Sequence, residues 1–289
     1  MPGPGWTLTA DPLRFANTAT LDFLRADPIG NTVALGVAIR LHLGPREPQP
    51  GDCYGWWTNA AGEIGAAFLT QDPFAVTLSA HVPEQAARTL ASAWLDSGRA
   101  RPSGVFGPVE TAEAIAADFA KRTGGGYRPK PQHSMRLFTF AEPAPPDPAP
   151  RGAHRLAALA DLPRVARWDR AFLEDCGIPA TAGQEAITRD RIAEGRAVLW
   201  TVEGEPVALA HYSPVVAETS RITGVYTPPE HRKNGYAAGV TWAVAHIARD
   251  AGARHVLLHT DLSNPTSNGV YQRLGFRPVH DVSEFEFTD

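Results

Sequence analysis

Five prolines, at positions 143, 145, 146, 148 and 150, crowd the stretch between Ala141 and Arg151. Each fixes φ and withholds a backbone donor, so this stretch can enter neither a helix interior nor the middle of a sheet. A chain of 289 residues interrupted in this way is expected to fold as two domains, 1–140 and 152–289, joined by a 141–151 spacer. An apolar content of 43% is enough for two packed cores.

The pattern on either side of the spacer alternates short strands with helices. In the first half, helical patterning through Leu13, Ala16, Ala19, Phe23 and Leu24 is followed by an apolar segment that Asn31 can cap. Strand-like runs at 54–58, 64–70 and 74–78 form an expected antiparallel meander. Helices at 83–95 and 108–122 then flank a short strand at 104–106, and a last strand is expected at 135–140. In the second half, a strand at 154–159 precedes helices at 162–175 and 183–194 and strands at 197–202, 207–212 and 221–227. A helix at 236–250 carries Val240, Ala243, Val244 and Ile247 on one face; a strand at 255–259, a helix at 265–274 and an extended tail at 276–287 complete the chain. Both halves thus predict a mixed α/β (α+β) class, and their shared element order suggests an internal structural repeat. The alternative is a common order with no relation between the halves, since almost no residues match.

Composition narrows the function. A net charge of −4 argues against nucleic acid or an anionic membrane as partner, while leaving room for a local basic patch that holds a phosphorylated small molecule. The two cysteines, Cys53 and Cys176, lie in separate halves, so a reducing compartment is expected. No apolar run approaches the about 18 residues of a membrane helix, and the first residues lack a signal-peptide layout, which makes the cytoplasm the expected location. No metal site is expected, and the chain is expected to act as a monomer or homodimer.

Two stretches carry chemistry. From Val225 to Ala238 the sequence reads as a strand that stops at Pro228-Pro229, a turn with Arg232, Lys233 and Asn234, then Gly235 and a helix opening with Tyr236, Ala237 and Ala238. Small residues let a ligand approach the main chain, and the free N–H groups of a helix start favour an anion by about 0.3–1 kcal/mol per charge. A pyrophosphate suits such a cradle. Farther on, Asn264 can cap a helix that begins at Pro265, places Ser267 and Tyr271 on one face with Asn268 near its start, and ends at Gly275-Phe276.

In this order and spacing, Arg232-x-x-Gly235-x-Ala237 and Asn264-x-x-Ser267-x-x-x-Tyr271-x-x-x-Gly275-Phe276 resemble the GNAT superfamily of N-acetyltransferases. The resemblance implies two GNAT-like domains, each a mainly antiparallel sheet flanked by helices, and acetyl-CoA as co-substrate of the second. It implies that the main chain of Val225, Tyr226 and Thr227 pairs with the pantetheine arm. The loop Arg232 to Ala238 would hold the pyrophosphate, and Asn264, Ser267 and Asn268 would lie near the pantetheine. Tyr271 would protonate the departing thiolate after direct attack by an amine. Ser267 stands where the family commonly has Ala. For the general base the candidates are Glu218, His211 and Glu230, or a water chain.

The corresponding stretch of the first half, from Ser79 to Ala86, lacks the loop motif and carries Glu84, so that half is expected to be degenerate and to bind no CoA. Trp56, Trp57 and Phe68 are expected to be core residues more than pocket walls. The expected activity is acetyl transfer to a small-molecule or peptide amine; the alternative is a non-catalytic regulatory module that binds CoA or another phosphate ligand.

Overall fold

The structure is a computed structural model that describes residues 3–44, 47–71, 73–178 and 183–288. In chain order the elements are β1 (Gly5–Thr9), α1 (Pro12–Phe15), α2 (Thr18–Arg25), α3 (Thr32–Leu43), β2 (Cys53–Thr58), β3 (Ile64–Thr70), β4 (Val76–Leu78), α4 (Glu84–Asp96), β5 (Gly104–Pro108), α5 (Val109–Arg122) and β6 (Arg128–Phe140). The second half continues with β7 (Ala153–Leu156), α6 (Leu162–Asp175), α7 (Gln184–Ala193), β8 (Ala197–Val202), β9 (Glu205–Tyr212), β10 (Thr219–Tyr226), α8 (Tyr236–Asp250), β11 (His255–Asp261), α9 (Pro265–Arg273) and β12 (Phe276–Thr288).

Main-chain contacts group the described residues into two units, and neither is one uninterrupted half. The first takes residues up to 137, 261–263 and the final segment from 279; the second takes 138–260 and 264–278. The proline stretch 141–151 therefore lies within the second unit, where Ala141 and Glu142 donate to the Gly275 carbonyl at 3.2 and 3.1 Å. The extended tail is a strand, and most of it belongs to the first unit.

In the first unit β1, β2, β3 and β4 form an antiparallel meander, β5 runs parallel to β4, and β12 lies antiparallel to β5 from Val282–Pro108 to Glu286–Gly104. Strand β1 is absent from the sequence reading. It is five residues long and half-buried along most of its length, so it lacks the clean alternation that marks a longer strand. Asp11 and Asn17 set the next two helices by accepting from Leu13, Arg14 and Thr20 main-chain N–H groups. Phe68, Trp94, Ile115, Phe119 and Phe287 fill the core beneath α4 and α5.

The second unit orders its strands β7-β8-β9-β10-β11, antiparallel except for β10 and β11. Strand β8 is apolar at four consecutive positions because both its faces are covered. Val198 and Trp200 pack with Val240 and Val244 of α8, while Ala197 and Leu199 pack with Val165 and Trp168 of α6. Helix α8 approaches closely because its side chains there are small: a Cβ on Gly239 would stand 3.1 Å from the Trp200 ring. Each unit therefore contains a meander, one crossover helix and a parallel strand, which is the mixed, mainly antiparallel architecture expected from the sequence.

Candidate functional site

The parallel pair β10 and β11 is joined only at its start. Their ladder links Thr219, Ser220 and Arg221 to His255, Val256 and Leu257. Among the described residues no further pair joins them, although β10 continues to Tyr226 and β11 to Asp261. On its other side β10 slips by one residue against β9: Thr223 faces His211 and Tyr226 faces Leu209. Gly224 sits in this bulge at φ +61°, a conformation that costs an L-residue about 1–2 kcal/mol and glycine nothing. Main-chain groups of Val225, Tyr226 and Thr227 thus lie where β10 and β11 have separated.

The loop after Thr227 leads into α8. Lys233 adopts φ +67° and Gly235 φ +76°, and Gly235 caps α8 without a side-chain hydrogen bond. Tyr236, Ala237 and Ala238 therefore begin a 15-residue helix whose first N–H groups are oriented outward, and no carboxylate lies between His231 and Ala238. Asn234 ties the loop to itself through the His231 and Arg232 carbonyls, both at 3.1 Å. Arg232 differs from the expectation of a charge aimed at a ligand. Its Nε donates to the Thr227 carbonyl at 3.0 Å and its terminal nitrogen pairs with Asp175 at 2.9 Å, so it braces the loop against the end of α6.

Helix α9 closes the same unit. Asn264 caps it by accepting from Ser267 N–H at 3.0 Å, and Asn268 donates to the Asn264 carbonyl at 2.8 Å. Tyr271 is half-buried and meets Phe276 edge to face at 5.9 Å. Burial pushes its phenol up to about 12, and the neighbouring Cys176 adds to the shift. At neutral pH Tyr271 therefore keeps its proton. Gly275 stands at φ +93°, and a Cβ there would meet the Glu142 carbonyl oxygen at 1.7 Å, so glycine is required at this position by the close passage of residues 141–142.

The three base candidates sit in different surroundings. Glu218 precedes β10 at the end where β10 and β11 are still paired; its side chain is exposed and ion-paired with Arg254 at 3.3 Å. Glu230 is exposed in the turn after Pro229. His211 is fully buried and its Nε2 lies 2.7 Å from Asp169 Oδ1. Burial depresses the His211 imidazole below its ordinary 6.5, opposed by the Asp169 carboxylate. Burial works to raise Asp169, but hydrogen bonds from His211 and Thr188 and the nearby Arg191 leave it below the usual carboxylate value. The Thr188 hydroxyl donates to Asp169 Oδ2 at 2.6 Å.

Asp169, Thr188 and Gly224 are absent from the sequence reading, as is the place of Cys176 beside Tyr271. Two of them left a signal: Asp169 interrupts the apolar stripe Leu162, Val165, Ala166 of α6, and an isolated glycine inside a strand pattern marks a bulge.

The first unit closes the equivalent position. Beyond β4, Ser79 exchanges hydrogen bonds with Ala67 through its N–H at 2.8 Å and its hydroxyl at 3.0 Å, and Ala80 N–H is taken by the Asn31 side chain at 2.7 Å. Helix α4 starts at Glu84 after Pro83, a start that repels an anion. Trp57 and Phe68 are core residues, as expected; Trp56 is half-buried with Arg14 over its ring. Among the described residues no cluster could hold a metal ion and no helix is long and apolar enough to cross a membrane.

Comparison with known proteins adds a family. Residues 162–276 match the model of the acetyltransferase (GNAT) family. A GCN5-related N-acetyltransferase from Sphaerobacter thermophilus aligns at TM-score 0.61 and 16% identity, covering 97% of this chain and 94% of its own. A Drosophila protein aligns at TM-score 0.62 and 12% identity, covering 99% of each chain. A GNAT-family acetyltransferase from Colwellia psychrerythraea aligns at TM-score 0.55 and 14% identity, covering 83% of this chain and 87% of its own. At these identities the structures show the shared fold. No curated protein matches significantly in sequence.

Proposed function

We propose, for a chain whose residues 162–276 match the model of the acetyltransferase (GNAT) family, that its second unit transfers an acetyl group from acetyl-CoA to a primary amine, and that its first unit is a degenerate GNAT-like partner without a CoA site. The observation that carries the reading is the separation of β10 from β11 immediately before an uncapped helix start. A ligand with a polar, extended arm and a pyrophosphate needs both features together: unpaired strand groups for the arm and free helix N–H groups for the anion.

Acetyl-CoA fits these residues and would supply an activated acyl group as a thioester. The main chain of Val225, Tyr226 and Thr227 would hold the arm, and the N–H groups of Lys233 to Ala238 would hold the pyrophosphate. Arg232 would keep this loop in shape through Thr227 and Asp175. Asn264, Ser267 and Asn268 would border the arm near the start of α9. Tyr271 would hold a proton close to the leaving sulfur; its raised pKa keeps the proton available for a thiolate developing beside it. The acceptor would attack as a neutral amine, a small molecule or a peptide, and lose its proton to water.

One observation favours the second reading, a CoA-binding module without turnover: Glu218 is paired with Arg254 and His211 with Asp169. Calorimetric titration with acetyl-CoA, followed by thiol release with a panel of amines, separates the two. Binding with amine-dependent thiol release is expected; binding with no release on any amine would establish the module, and no binding would sink both.

A further inference from the structure

His211 has the chemistry of a base but not the orientation of one. A Cβ built on Gly224 would lie 2.8 Å from His211 Cδ2 and 3.7 Å from Nε2, so the imidazole turns a carbon edge to the bulge. Its Nε2 is committed to Asp169 at 2.7 Å, while its buried Nδ1 has no hydrogen-bond partner among the described residues. The ring fills the space that a side chain at position 224 would need. Rotating it to present a nitrogen to Gly224 would bring carbon to Asp169 and leave a buried carboxylate short of a donor, a loss that buried groups rarely tolerate. Asp169 reaches from α6 and Thr188 from α7, so two helices fix the imidazole from behind. Asp169 and Thr188 are both almost fully buried.

We infer that Asp169 is a positioning residue: held by Thr188, it sets the His211 ring against Gly224, and the ring sets the bulge that turns the main chain of Val225 out of the β9 ladder toward acetyl-CoA. The inference rests on the proposed acetyl-CoA site. It gives His211 a mechanical task and leaves proton removal from the amine to another group.

The geometry makes a distinctive expectation for paired substitutions. Gly224→Ala places a methyl against His211 and is expected to weaken acetyl-CoA binding by about tenfold or more. In a His211→Ala background the methyl finds the space the ring has vacated, so adding Gly224→Ala there is expected to cost no more than about threefold. The strain of alanine at positive φ is common to both backgrounds and cancels. Asp169→Ala is expected to weaken binding about tenfold, whereas Asp169→Asn can still bond both His211 and Thr188 and is expected to stay within about threefold of the unchanged protein. Calorimetry reads the affinities and thermal unfolding reads the same cycle without ligand. A Gly224→Ala variant that fails to fold while the double variant folds would be the expected coupling in its extreme form.

Equal costs of Gly224→Ala in both backgrounds would overturn the inference, as would an Asp169→Asn variant as impaired as Asp169→Ala, or a His211→Ala variant that binds acetyl-CoA normally while losing a limb of its pH–rate profile. Unsubstituted protein that binds no acetyl-CoA would overturn the site itself and the inference with it, a result distinct from normal binding with additive variants.

Discussion

Tyr271 and the His211–Asp169 pair differ in what burial does for them. Burial moves the Tyr271 phenol up to about 12, so the protonated form that a general acid needs prevails at every physiological pH. Tyr271→Phe keeps the ring against Phe276 and removes only the proton; the expected outcome is a kcat lower by about a hundredfold with acetyl-CoA affinity unchanged. An unchanged kcat in steady-state assays would take Tyr271 out of the acid role. The pair acts on stability instead. His211 and Asp169 both titrate lower in the folded state than their ordinary values of 6.5 and 3.8, so in acid the unfolded chain takes up protons before the folded one does. Stability is therefore expected to start falling as pH drops below 6.5, with a further loss below about 3.8, and His211→Gln is expected to flatten the first part in denaturant titrations at pH 7 and pH 5. The chemistry of Tyr271 and His211 was legible in the sequence, but their orientation was not, and Asp169 was missed. Nothing local to His211 says that its ring lies under Gly224, because the contact is made across the β9–β10 register slip.

The elements that place the site vary in how plainly the sequence announces them. Helix α8 was legible because Val240, Ala243 and Val244 repeat at helical spacing and Gly235 and Gly252 bracket it; the anion site proposed at its start was suggested by the basic turn and by the small residues Gly235, Ala237 and Ala238. That the main chain of Val225 to Thr227 lies open beside β11 was implied only through the family resemblance, since a strand's own residues do not state where its neighbour leaves it. The loop before α8 gives the test at this scale. Gly235 holds φ +76° and opens the helix, so Gly235→Glu combines backbone strain with a carboxylate over the free N–H groups. It is expected to abolish acetyl-CoA binding in calorimetry while the protein remains folded, and retained affinity would remove the loop from the site. Arg232 belongs to this scale too: the motif suggested a charge for the ligand, whereas its bonds to Thr227 and Asp175 make it a brace.

For the whole molecule, the mixed, mainly antiparallel architecture was legible in the alternation of short strands and helices, but the path of the chain through it was not: the proline stretch expected to separate two halves lies inside the second unit. Periodicity identifies an extended segment without naming its partner, and the partner of β12 is β5, far away in sequence. On its other side β12 is tied to β6 by a bidentate Arg136–Asp281 ion pair between residues 145 positions apart. Removing 279–289 would strip β5 of a neighbour and Phe287 from the core, so the first unit's unfolding midpoint is expected to fall by about 10 °C or more in calorimetry. A midpoint that does not move would show that β12 contributes nothing to that unit's stability.

The same arrangement has a consequence for how the protein is made. As the polypeptide leaves the ribosome, the segments that build the first sheet emerge early, but the strand that completes its β5 edge emerges only after nearly all of the second unit. During that interval β5 presents an open row of hydrogen-bonding groups, an invitation to pair with another copy's β12. Swapped dimers formed through this nascent edge are therefore expected when synthesis outruns folding.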